Sequence, residues 1–159
     1  ISLRKRITPK LDFNLKFVNL KREQPQYKNL KYKKILSYLS KMDNSKSDIG
    51  LVFKKKILEA GTSNLLFIKD EKVFAPKKGY YEGNTYKFFK TKLKKIIKRD
   101  VFIYELKNFD EILLIGSGKG VASVKTIKQI GWRRKNLKYY KLFDKHYQLA
   151  IKKCNFYKF

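Results

Sequence analysis

The sequence is short of the residues from which most metal and redox sites are built. It has one cysteine, Cys154, and one histidine, His146. Together they exclude an internal disulfide and zinc-type ligand spacing, so no metal site is expected. A lone thiol also fits a reducing compartment, and a cytoplasmic location is expected. The longest apolar runs, such as residues 112–115, are far too short to cross a bilayer, which argues against a membrane partner. No charged-then-apolar leader opens the chain, which begins at Ile1. Internal repeats and low-complexity tracts are also missing, apart from a bias toward lysine.

Acidic residues are scarce as well. Forty Lys and Arg against thirteen Asp and Glu leave a net charge of +27. Such a balance raises nucleic acid as a partner. With 15% aromatic residues, a basic RNA-binding protein of ribosomal type is the alternative reading, since basic grooves with stacking rings bind single strands. Three absences weigh against it: no RNA-recognition aromatic motif, no GxxG clamp and no arginine-rich segment. The excess is nearly all lysine, whereas phosphate recognition leans on the bidentate arginine fork. The accompanying abundance of Ile, Asn, Tyr and Phe fits compositional drift toward A and T.

What is present suffices for a core. At 159 residues and 43% hydrophobic, the chain has room for one domain. Alternation predicts a strand over 11–20, and apolar spacing an amphipathic helix over 32–43. Short strands follow at 49–53, 57–59, 64–68 and 73–75, the last two joined by a hairpin turn at 69–72. Phe89, Leu93, Ile96 and Ile97 predict a helix over 86–99 with a solvated lysine face. Strands at 101–104 and 112–115 come next, with Phe109-Asp110-Glu111 as a turn. A glycine-rich turn and a strand through Val124 precede a helix over 136–153, with His146 on its surface. Mixed helices and strands predict an α/β (α+β) domain around a buried sheet.

Two motifs carry chemistry. Gly116-Ser117-Gly118-Lys119-Gly120 is not a P-loop, because Leu113 stands where the first glycine belongs and Gly120 replaces the hydroxyl. It remains a turn with free amides, suited to anions. The run Glu59-Ala60-Gly61-Thr62-Ser63-Asn64 sets an acid at a strand end, small residues through a crossing and Asn at the next strand. Burying Glu59 there would need a cationic partner.

Followed by Phe74-Ala75-Pro76, Gly83-Asn84-Thr85 and Asp110–Ser117, this order resembles class IV (fold type IV) pyridoxal-phosphate (PLP) enzymes, the branched-chain aminotransferases and aminodeoxychorismate lyases. The resemblance spans about residues 29–150. It implies a barrel-like mixed sheet flanked by helices, with residues 29–159 forming the PLP-binding large domain. Residues 1–28 would then be the remnant of an N-terminal domain and interdomain segment, and the chain a fragment or a diverged member. It implies an aminotransferase or lyase, a homodimer acting on a small-molecule substrate, an amino acid or oxo acid. By position, Lys31 would carry the cofactor, with Lys33 and Lys34 as rivals, and Glu59 would face the pyridine nitrogen. Amides at Asn84 and Thr85 would hold the phosphate. Ser117 would add a hydroxyl, and Gly118 and Lys119 amides would face phosphate or substrate carboxylate. Asn84, Tyr86, Ala75 and Leu66 depart from the family pattern.

Overall fold

The computed structural model describes residues 11–27, 32–93 and 95–153. Its elements run β1 (Asp12–Asn19), α1 (Lys33–Leu39), β2 (Ser47–Phe53), β3 (Lys56–Ala60), β4 (Asn64–Lys69), β5 (Lys72–Pro76), α2 (Asn84–Lys92), β6 (Ile96–Arg99), β7 (Val101–Phe102), β8 (Glu111–Gly116), β9 (Gly120–Ile127), β10 (Trp132–Arg133) and α3 (Lys138–Lys152). All ten strands join one mixed sheet, in the order β6-β5-β4-β8-β9-β1-β2-β3-β7, with β10 attached to β9. The mixed α/β (α+β) class expected from the sequence is the class observed. β1 falls within residues 1–28, yet it pairs in parallel with both β2 and β9.

β4 and β8 show why some strands read as unbroken apolar runs. Side chains alternate across a strand, and here both faces are covered. Leu65, Phe67, Ile112 and Leu114 enter one cluster with Phe13, Leu15 and Trp132. Their neighbours Leu66, Ile68, Leu113 and Ile115 enter a second, where Tyr86 and Phe89 of α2 and Phe143 of α3 cover the sheet. α1 lays Ile35 and Leu39 on Ile49 and Leu51 of β2. Between β4 and β5, Asp70 and Glu71 take positive φ, 48° and 57°. That is the twist a two-residue hairpin turn requires.

Several predicted elements differ, α1 among them, which stops at Leu39 instead of running to 43. The helix over 86–99 begins earlier, after the N-cap Gly83, and ends at Lys92, where Leu93 turns extended. Ile96–Arg99 pairs instead in parallel with β5 as an edge strand. β-branched Ile96 and Ile97 suit that place, and a free sheet edge outweighs helical spacing. The strand over 101–104 stops at Phe102 and gives way to a 3-10 turn at Ile103–Asn108. Glu105 causes the break. Its carboxylate accepts the Phe102 N–H at 2.7 Å and bonds from both terminal nitrogens of Arg99, Nη1 and Nη2, at 2.8 and 2.9 Å. Glu111, expected in a turn, opens β8 and is fully buried.

Candidate active site

Glu59, near the end of β3, is 2% exposed. The cation that its burial demands is Arg22, whose Nε donates to Oε1 at 2.6 Å. The Tyr81 N–H donates to Oε2 at 3.3 Å. Burial pushes the Glu59 carboxyl above the usual carboxylate range, and Arg22, then Tyr81, pull against that shift without cancelling it. The Arg22 guanidinium in turn lies 4.5 Å from the centre of the Tyr32 ring. Carboxylate, guanidinium and ring form one stack.

That stack borders a cavity of about 360 Å³, lined further by Gly61, Asn64, Gly83, Asn84, Gly116 and Ser117. Asn64 organises one side. Its Nδ2 donates to the Tyr81 carbonyl at 2.6 Å and its Oδ1 accepts the Gly83 N–H at 3.1 Å. This clamps the loop leading into α2. The first amides of a helix have no intrahelical acceptor, and no side chain caps α2. Lys87 is the first of its residues to bond back, to the Gly83 carbonyl at 3.0 Å. Asn84, Thr85 and Tyr86 therefore present N–H groups at the positive end of the helix dipole.

Further features suit a bound polar group. The Ser63 hydroxyl, on the cavity wall, is buried without a hydrogen-bond partner. A Cβ on Gly116 would lie 3.2 Å from the Thr62 carbonyl and 3.4 Å from the Ser63 hydroxyl. The glycine thus keeps the wall open. A buried carboxylate and an uncapped helix start in one cavity fit a molecule with a basic ring nitrogen and a phosphate. Among the described residues, no cluster of His, Cys, Asp and Glu could hold a metal.

Of the residues singled out by sequence, the cavity gathers Glu59, Asn84 and Ser117. Thr85 brings its amide to the helix start, but its side chain is buried away from the cavity lining. Gly118 sits beyond Ser117 and faces open space. Lys31 lies outside the described residues, while its neighbour Tyr32 is on the cavity wall. The rivals Lys33 and Lys34 are exposed on α1 and do not line it. Sequence reasoning required a cation for Glu59 without naming Arg22. The signal was there in principle: Arg22 is a rare arginine in a lysine-rich chain.

The family model for class IV amino-transferases matches residues 4–127. The chain belongs to that family. The match takes in β1 and stops at the end of β9, so it begins earlier and ends sooner than the sequence resemblance. No curated protein matches the sequence. Solved structures agree on the fold. A branched-chain aminotransferase of Thermoproteus uzoniensis, solved with norvaline, superposes with a TM-score of 0.79 at 13% identity, over 90% of this chain and 52% of that one. The branched-chain amino acid aminotransferase of Thermobaculum terrenum in its PLP form gives 0.71 at 17%, over 88% and 51%. The 4-amino-4-deoxychorismate lyase of Pseudomonas aeruginosa gives 0.67 at 21%, over 88% and 54%. The chain spans about half the length of these solved relatives.

Proposed function

We propose that this chain carries the cofactor site of a PLP-dependent class IV enzyme, an aminotransferase or an aminodeoxychorismate-lyase-like protein acting on an amino acid or 2-oxo acid. One observation supports this reading above the others: a buried carboxylate, Glu59, shares a cavity with the uncapped start of α2. Family membership and the PLP form of one solved relative point the same way.

The residues divide the work by chemistry. Bound PLP supplies an electron sink for negative charge developing beside the substrate nitrogen. The Lys31 amine would hold the cofactor and would move a proton at the substrate α-carbon. Glu59, anchored by Arg22, keeps the ring nitrogen protonated. Asn84 and Thr85 donate backbone N–H groups to the phosphate, and Ser117 adds its hydroxyl. The Gly118 amide serves the phosphate or the substrate carboxylate, whereas the Lys119 N–H is bonded to the Gly116 carbonyl at 3.2 Å and serves neither. A homodimer follows from the same family reading.

Spectroscopy tests the core of this assignment. Purified protein titrated with PLP develops a visible absorption band that saturates at one equivalent per chain, and Lys31→Ala lacks it. Absence of a band in the unmutated protein would contradict the reading.

A further inference from the structure

A second buried charge cluster stands beside the cavity, and the roles assigned above do not use it. Asp48, in β2, has a fully buried side chain, and the Lys119 side chain is only 10% exposed. The Lys119 ammonium donates to Asp48 Oδ2 at 2.8 Å and also to the Thr62 hydroxyl. Thr62 in turn donates to the same Asp48 oxygen at 2.9 Å. Asp48 Oδ1 accepts the Ile49 N–H at 2.8 Å. The ammonium also lies 5.1 Å from the centre of the Phe13 ring.

The cluster joins the two segments that form one side of the cavity. Gly61, Thr62 and Ser63 belong to the crossing from β3 to β4, Gly116 ends β8, and Ser117 opens the turn from β8 to β9. The turn is glycine-rich and locally soft. A backbone bond closes it, Lys119 N–H to the Gly116 carbonyl at 3.2 Å, next to the Gly116–Gly120 pair at the end of the β8–β9 ladder. The crossing is packed hard against the acid, since a Cβ on Gly61 would come within 2.9 Å of Asp48 Oδ1. Buried ion pairs add little net stability over apolar side chains of the same size. Geometry is what this one provides.

We propose that Lys119 is a positioning residue. Through Asp48 and Thr62 it holds the Ser117 turn at a fixed place against the crossing loop, so that the turn meets the phosphate of the bound cofactor. Lys119 does this without touching the cofactor. The proposal rests on the cofactor reading above.

The test compares PLP with pyridoxal, which lacks the phosphate, in direct binding titrations. Lys119→Met should weaken PLP binding about tenfold while pyridoxal binding changes by less than about twofold, because misplacing a supporting group penalises only the interaction it supports. Lys119→Arg, which keeps the charge but not the shape of the ammonium, should recover part of the PLP affinity lost in Lys119→Met. The neutral double variant Asp48→Asn/Lys119→Met removes the stranded buried charge, so its melting temperature should recover while its PLP affinity stays low. It also carries the comparison should Lys119→Met alone fail to fold. The proposal is overturned by unchanged PLP affinity in Lys119→Met, by equal losses for both ligands, or by affinity that recovers with stability in the double variant. An unmutated protein that binds no PLP would overturn the cofactor reading itself.

Discussion

At the scale of single residues, the Arg22–Glu59 pair decides whether the cavity can work. The two side chains are 5% and 3% exposed, so removing one strands the other away from water. Arg22→Met should destabilise the protein by about 3–5 kcal/mol at neutral pH, the usual cost of an uncompensated buried charge. The pH dependence has a definite sign. The folded-state pKa of Glu59 is already raised by burial, and losing Arg22 raises it further. Folded Glu59 then holds its proton after the unfolded chain has released one, so stability falls as pH rises above the ordinary carboxylate range. The deficit of Arg22→Met relative to the unmutated protein, read from melting temperatures, should shrink toward pH 4 and grow toward pH 8. Glu59 was legible because its neighbours form a contiguous motif. Arg22 was not, because it stands 37 positions away in sequence and only the fold brings the two together.

At the scale of elements, buried acids at strand ends set where helices dock. Glu111 opens β8, and its carboxylate accepts the Tyr139 and Tyr140 N–H groups at 2.7 and 2.9 Å. Both belong to the first turn of α3, where unpaired amides and the helix dipole favour an anion. Glu111→Gln keeps the size but loses the charge and one acceptor. It should cost about 1–3 kcal/mol, visible as a lower denaturant midpoint, and should loosen α3 first in hydrogen exchange. The hairpin at 69–72 and the strands β4, β5 and β8 were readable because local pattern and tertiary place agree. The end of α2 was not. Residues 86–99 carry a helical apolar stripe, yet β5 offers Ile96 and Ile97 a parallel neighbour, and this pairing cannot be seen in a local window.

At the scale of the whole molecule, charge and family bear on different questions. Many of the acids are already engaged: Asp12 with Arg134 and Lys125, Glu82 with Lys90 and Lys98, Glu105 with Arg99. Although burial opposes it, bonding to these cations holds all three carboxyls below the usual range. Each therefore adds stability that is present above about pH 4 and lost as pH falls through its lowered folded-state value. The remaining excess of lysine repels itself. Raising salt from about 0.01 M to about 1 M cuts the screening length from about 30 Å to about 3 Å. The melting temperature should rise over that range, because relief of repulsion outweighs the loss of exposed ion pairs, which are individually weak. A fall would mean that those pairs dominate. Family membership leaves the RNA-binding alternative without support. Among the described residues, no helix is long and apolar enough to cross a membrane.

Cofactor attachment rests on one lysine among many. Incubating the protein with PLP, reducing it with borohydride and mapping peptides by mass spectrometry shows which amine holds the cofactor. The prediction is one pyridoxyl group per chain, on Lys31, with little label elsewhere and none in Lys31→Ala. Label settled on Lys33 or Lys34, or spread over surface lysines in proportion to their exposure, would contradict it.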